Sequence, residues 1–211
     1  KISGFSLNTC YTIGGIIGSI QSDSPAEYIK NTEVKNCVSN VGFELTDIYS
    51  SEVTIGGIIG ITYIMSDDIY DEIKVKLSNC SFNGKMSLKE FVRVNLCAGG
   101  IAGIANFTDI SDSYVKGEIN CSNSIAFSMV IGGITGILGI DSEYSYSTIN
   151  NSSTYNTAKI IIDGVSEPNN NFGNERTYLI SVGKLVGIDA SSINMGNEAM
   201  QNCTSENSIS L

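Results

Sequence analysis

The residues of this 211-residue chain whose types could do chemistry are six cysteines, six asparagines in Asn-x-Ser/Thr sequons and one acidic run. An even cysteine count in a secreted chain permits a disulfide framework, but no Cys-x-x-Cys pair exists to hold zinc. The sequons begin at Asn79, Asn106, Asn120, Asn150, Asn151 and Asn202. An N-glycan needs such a tripeptide on an accessible loop. Asn106, just after an apolar block, is the best-placed acceptor, with Asn120 and Asn150 as further candidates; Asn79 and Asn202 are expected to be buried. Asp67, Asp68, Asp71 and Glu72 offer oxygen ligands for calcium, yet lack the alternating spacing of a calcium loop. Used as a glycosidase pair, they would need one carboxyl held in a pocket. The chain has no histidine, which removes Ser-His and Cys-His nucleophile pairs and imidazole ligands. Neither a catalytic residue, a metal nor a cofactor is expected.

Charge points the same way. With 12 Lys and Arg against 22 Asp and Glu, the net charge is −10, the wrong sign for a phosphate-binding surface, so no nucleic-acid partner is expected. Hydrophobic residues make up 42% and charged residues 16%, a balance that supports a packed core. The apolar run over 125–140 is shorter than the ~20 residues of a spanning helix and reads as core, so no membrane insertion is expected. The stretch that begins at Lys1 does not read as a signal peptide, and none is expected within these residues.

The element that must position these residues is a repeat. Thr12-Ile-Gly-Gly-Ile-Ile-Gly18 returns as Thr54-Ile-Gly-Gly-Ile-Ile-Gly60, as Ala98-Gly-Gly-Ile-Ala-Gly103, as Ile131-Gly-Gly-Ile-Thr-Gly136 and, weakened, as Val182-Gly-Lys-Leu-Val-Gly187. The leading glycines Gly14, Gly56, Gly99, Gly132 and Gly183 are 42, 43, 33 and 51 residues apart. A second landmark lies between blocks: Asn36-Cys37, Asn79-Cys80, Asp112-Ser113, Asn151-Ser152 and Asn202-Cys203. From Cys37, Cys80 and Ser113 to the next block the distance is 19 residues each time, whereas the arm from block to landmark varies from 14 to 24. One fixed arm and one elastic arm are how a solenoid tolerates insertions at a single corner. The stretch around Asn169-Asn-Asn-Phe-Gly-Asn174 reads as an insertion that breaks the fixed arm in the fourth interval.

Glycine pairs would cost a helix about 1 kcal/mol per residue, and Ile, Val, Thr, Tyr and Ser elsewhere favour strands. In the run 73–82, Ile73, Val75 and Leu77 alternate with Lys74, Lys76 and Ser78, the period of a half-buried strand. The expected fold is therefore all-β, a right-handed parallel β-helix (β-solenoid) of about five coils with variable side loops, each coil having about three short strands. Glycine is expected at corners, for positive φ and close approach of coils. The Asn landmarks Asn36, Asn79, Asn151 and Asn202 predict a buried ladder of stacked amides, with a plain turn as the alternative. Cys37, Cys80 and Cys203 share a column with Ser113 and Ser152, and Cys97 shares one with Thr12, Thr54 and Val130. That exchange suits small core thiols, although Cys37 and Cys80 would also stack near bonding distance. Residues 1–211 read as one domain, a piece of a longer array.

Gly99-Gly-Ile-Ala-Gly103 followed by Ile110-Ser-Asp-Ser-Tyr-Val-Lys-Gly-Glu-Ile119, and Leu77-Ser-Asn-Cys-Ser-Phe-Asn-Gly-Lys-Met86, resemble the GLUG repeat family. The chain departs from that pattern at Lys184, which replaces the second glycine, and at the two landmarks with Ser in place of Cys. The resemblance implies a secreted or surface-attached β-helix acting as stalk, spacer or binding surface, and carries over no catalytic residue. The expectation is a non-catalytic structural or adhesive segment, extracellular or at the cell surface. Its partners would be another protein or a surface glycan, besides neighbouring repeats of its own chain. The rival readings are a β-helix domain of a secreted carbohydrate-acting enzyme and an accessory domain of a large secreted protease.

Overall fold

A computed structural model describes residues 2–3, 10–22, 32–49, 51–64, 75–139, 147–166, 179–190 and 200–211. These form 26 strands and no helix. After β1 (Ile2–Ser3), the first coil comprises β2 (Cys10–Gly14), β3 (Ile17–Ser22), β4 (Glu33–Lys35), β5 (Val38–Ser39) and β6 (Gly42–Thr46). The second repeats it as β7 (Glu52–Gly56), β8 (Ile59–Ile64), β9 (Val75–Ser78), β10 (Ser81–Phe82) and β11 (Lys85–Lys89). The third has β12 (Val92–Gly99), β13 (Ala102–Ala105), β14 (Thr108–Ser111), β15 (Tyr114–Val115) and β16 (Glu118–Ser122). The fourth has β17 (Ile125–Gly132), β18 (Thr135–Leu138), β19 (Thr148–Asn150), β20 (Ser153–Thr154) and β21 (Lys159–Asp163). The fifth has β22 (Leu179–Gly183), β23 (Val186–Asp189), β24 (Met200–Gln201), β25 (Thr204–Ser205) and β26 (Ser208–Ser210).

Every strand pairs in parallel with its counterpart in each neighbouring coil, giving five sheets. Four sheets have five strands, and the one holding β1, β6, β11, β16, β21 and β26 has six. The fold is a parallel β-helix, and the repeat is its coil. Gly14, Gly56, Gly99, Gly132 and Gly183 stand in register. Ile16, Ile58, Ile101 and Ile134 queue along the axis, each amide donating to the carbonyl of the next at 2.8–3.0 Å, and Ile134 to that of Leu185 at 2.7 Å. Ile58, Ile101 and Ile134 are wholly buried, and Ile16 in the first coil is 46% exposed.

Each coil has five strands where about three were expected. The reason is the economy of the corners. Asn36, Asn79, Asp112, Asn151 and Asn202 all adopt left-handed φ between 49° and 57°, and so does a second column, Asp47, Glu90, Asn123 and Gly164, between 50° and 61°. One left-handed residue turns the chain sharply, so strands as short as Val38–Ser39 fit between corners. The run 73–82 is accordingly cut in two, β9 and β10, by the corner at Asn79 and Cys80. Within β9 the expected alternation holds: Val75 and Leu77 are buried, Lys76 exposed. The apolar run over 125–140 supplies β17 and β18 with Met129, Val130, Ile131, Ile134 and Leu138 in the core. No helix among the described residues is long and apolar enough to cross a membrane.

The block glycines are required for space, and none of them has positive φ, contrary to the turn role expected of them. A Cβ on Gly14, Gly56, Gly99, Gly132 or Gly183 would come within 2.0 Å of the carbonyl oxygen three residues on in its own coil. On Gly15, Gly57, Gly100 or Gly133 it would meet the carbonyl oxygen of the same position in the next coil at 2.0–2.3 Å. Lys184 occupies that position in the fifth coil, where no described coil lies above it, and its side chain is exposed. The third glycine mirrors this. Gly60, Gly103 and Gly187 face the preceding coil at 2.5–2.7 Å, whereas Gly18, in the first coil, finds only an ordinary contact at 3.5 Å.

The elastic arm maps to one corner, between the second and third strands of each coil. In the third coil Asn106 and Phe107 close it alone. In the other coils the residues there lie outside those described, including the acidic run Asp67, Asp68, Asp71 and Glu72. The insertion around Asn169–Asn174 also lies outside the described residues.

Candidate interaction surface

The landmark corners are built alike. The left-handed residue donates its amide across to the next coil, as Asn36 does to the Ser78 carbonyl at 3.1 Å and Asn79 to that of Ser111 at 3.1 Å. The residue that follows turns inward and donates its side chain to the carbonyl two positions back. Ser113 reaches Ser111 at 2.8 Å and Ser152 reaches Asn150 at 2.9 Å. Cys80 reaches Ser78 at 3.4 Å and Cys203 reaches Gln201 at 3.2 Å. A hydroxyl also accepts from the coil below: Cys80 N–H donates to Ser113 Oγ at 3.1 Å, and Ser113 N–H to Ser152 Oγ at 3.2 Å. Ser124 repeats the device at the second corner, donating to the Ser122 carbonyl at 2.9 Å and accepting from the Phe91 amide at 3.2 Å. Thr108 and Ser147 repeat it at the elastic corner, where Thr108 N–H donates to Ser147 Oγ at 3.2 Å.

This geometry brings Asn36, Asn79, Asn151 and Asn202 into one column with Asp112, but on the surface, not in a buried ladder: all five are exposed. The left-handed backbone, which Asn and Asp tolerate best, accounts for the column. Asn79 Nδ2 donates to Asn36 Oδ1 at 2.7 Å, a side-chain rung between coils. Asn79 and Asn202, expected to be buried, are thus accessible. Asn106, expected in a loop, is 3% exposed inside the tight corner of the third coil; a glycan there would have to open that corner. Asn120 is half-buried on the outward side of β16, in register with Ser87 and Ile161. Asn150 is half-buried in β19 and donates to Thr148 Oγ1 at 3.3 Å. The candidate acceptors are dispersed over separate sheets.

Outward positions also stack. Lys85 pairs with Glu118 at 2.7 Å, and Glu118 is in register with Lys159. Asn83 donates to Asn40 at 3.1 Å, one coil apart. Further along the same face, the Tyr114 and Tyr155 rings meet edge to face, with centroids 5.5 Å apart. Lys116 Nζ lies 5.0 Å from the first ring centroid and 4.7 Å from the second. Tyr155 is 41% exposed. An ammonium held against two aromatic rings is a fixed, amphipathic contact point. These three residues were not singled out in sequence; their signal was an aromatic directly after the Asp112-Ser113 landmark and another three residues after Asn151-Ser152.

All six cysteines are free thiols. Cys97 is in register with Thr54 and Val130, the column expected from the repeat. Burial pushes the Cys97 thiol far up and that of Cys121 up from 9.0 to about 11, so neither ionises at neutral pH to act as a nucleophile. Exposed Cys10 is raised by its hydrogen bond to Glu52. No group of three or more metal-ligating side chains occurs among the described residues. No family model, no curated protein and no solved structure matches the chain.

Proposed function

We propose that this chain is a non-catalytic structural or adhesive segment of an extracellular or cell-surface protein, a β-helix of the GLUG-repeat type that serves as stalk or interaction surface. The observation that carries this reading is the shared register of five coils, which turns single outward residues into rows fixed by the backbone. A rigid row of Asn, Lys and Tyr side chains suits repeated contacts with a surface glycan or another protein, because little side-chain freedom is lost on binding. The Tyr114–Lys116–Tyr155 cluster is the densest part of that surface, and tyrosine is a frequent anchor in interfaces.

The test immobilises the chain and measures binding to panels of glycans and extracellular proteins, with pectin-like and glucan polysaccharides incubated in parallel. The expected result is retention of a partner without product release, weakened at least about tenfold by Tyr114→Ala with Tyr155→Ala, as for loss of an anchor residue. Released sugar products that persist in repeated preparations would replace this reading with a carbohydrate-acting enzyme.

A further inference from the structure

We propose that Cys37 and Cys80 form a cross-linking site that fastens the first coil to the second when the chain meets a small-molecule disulfide oxidant. Val38 is in register with Ser81 and Ser39 with Phe82, so Cys37 lies directly beneath Cys80, and the Ser81 amide donates to the Cys37 carbonyl at 2.8 Å. Neighbouring strands run about 4.8 Å apart, inside the Cα range of about 4.4–6.8 Å that a disulfide spans. No other cysteine has this relation. The register partners are Glu52 for Cys10, Thr54 and Val130 for Cys97, and Leu88 and Ile162 for Cys121; Cys203 stacks on Ser152, since Thr204 pairs with Ser153.

Accessibility sets the order of events. Cys37 is half-buried and Cys80 wholly buried, so Cys37 is the entry point. Its thiolate attacks one sulfur of oxidised glutathione, forming a mixed disulfide and releasing one glutathione thiolate. The Cys80 thiol then gives up its proton to solvent and attacks the Cys37 sulfur. The second glutathione leaves as thiolate, so two protein thiols become one disulfide while one oxidised glutathione becomes two reduced molecules. What the native state gives up is weak: thiol contacts to the Lys35 carbonyl at 3.4 Å and to those of Ser78 and Val34 at 3.4 and 3.5 Å. What it gains is a clamp on the coil whose outer side leaves Ile16 46% and Val38 56% exposed.

The experiment treats the folded chain, carrying Cys10→Ser to silence the exposed thiol, with oxidised glutathione and maps the peptides without reduction. The expected product is a Cys37–Cys80 linked peptide, with two of the five remaining thiols lost and an unfolding midpoint raised by about 5–10 °C, as for closing a loop of this size. With Cys80→Ser, a substitution matching Ser113 and Ser152 in the same column, glutathione is expected to stay on Cys37. Glutathione retained on Cys37 when Cys80 is present, a link to any other cysteine, or five unchanged thiols would each overturn the proposal.

Discussion

Where a serine follows a left-handed corner its side chain does two jobs at once, and Ser113 shows both. Its hydroxyl donates to the Ser111 carbonyl and accepts from the Cys80 amide, and it is 1% exposed, so water cannot replace either partner. Ser113→Ala would leave the buried Cys80 amide without its partner and the Ser111 carbonyl with only its bond from the Asn79 amide, a loss of about 2 kcal/mol. Ser113→Cys keeps a weak donor of similar size and follows Cys37, Cys80 and Cys203 in the same column, so its loss should be about half as large. Urea unfolding midpoints of the two variants check this. An alanine variant as stable as the parent would mean that the corner is held by the backbone alone. The same column explains why serine and cysteine exchange here: the position asks for a small inward donor, which a thiol and a hydroxyl both supply.

At the level of the element, the glycine block carries its own test, because identical sequence sits in different surroundings. Gly18 and Gly60 close the first and second copies. A Cβ on Gly18 would touch the Thr12 carbonyl oxygen at 3.5 Å, whereas one on Gly60 would lie 2.5 Å from the Gly18 carbonyl oxygen in the coil below. Gly18→Ala is expected to change stability by less than about 1 kcal/mol, and to favour the fold if anything, by restricting the unfolded chain. Gly60→Ala must push two coils apart and should cost about 3 kcal/mol. Thermal unfolding of the pair decides it; equal losses would show that the glycines serve backbone conformation and not stacking. The period and the main elastic corner were legible from the 19-residue arm, since insertions can enter only where strands do not stack. The number of strands per coil was not, because a left-handed Glu90 or Asp47 looks like any surface carboxylate in sequence. Nor was the burial of Asn106: a sequon after an apolar block suggests a loop, but the third coil closes its corner with two residues and leaves no loop to carry it. Lys184 was visible as a departure from the block.

For the molecule as a whole, stacking makes stability a matter of position along the axis. Each coil touches only its neighbours, so an interior coil is covered on both sides and an outer one on a single side. Ile101, in the third coil, is 0% exposed, whereas Ile16 in the first and Ile180 in the fifth are 46% and 44% exposed. The same side chain therefore has unequal worth. Ile101→Ala removes a fully packed group and should cost about 4 kcal/mol, within the range for large-to-small changes in a core. Ile16→Ala should cost under about 1 kcal/mol, because much of that side chain already meets water. Amide hydrogen exchange of this 211-residue chain extends the argument to the backbone. The slowest amides should fall in β12 to β16, with progressively faster exchange toward the first and fifth coils, as local opening begins where one face is uncovered. A flat profile, with outer and central coils exchanging together, would mean that the five coils open as one cooperative unit and that nearest-neighbour stacking does not set the stability of this β-helix.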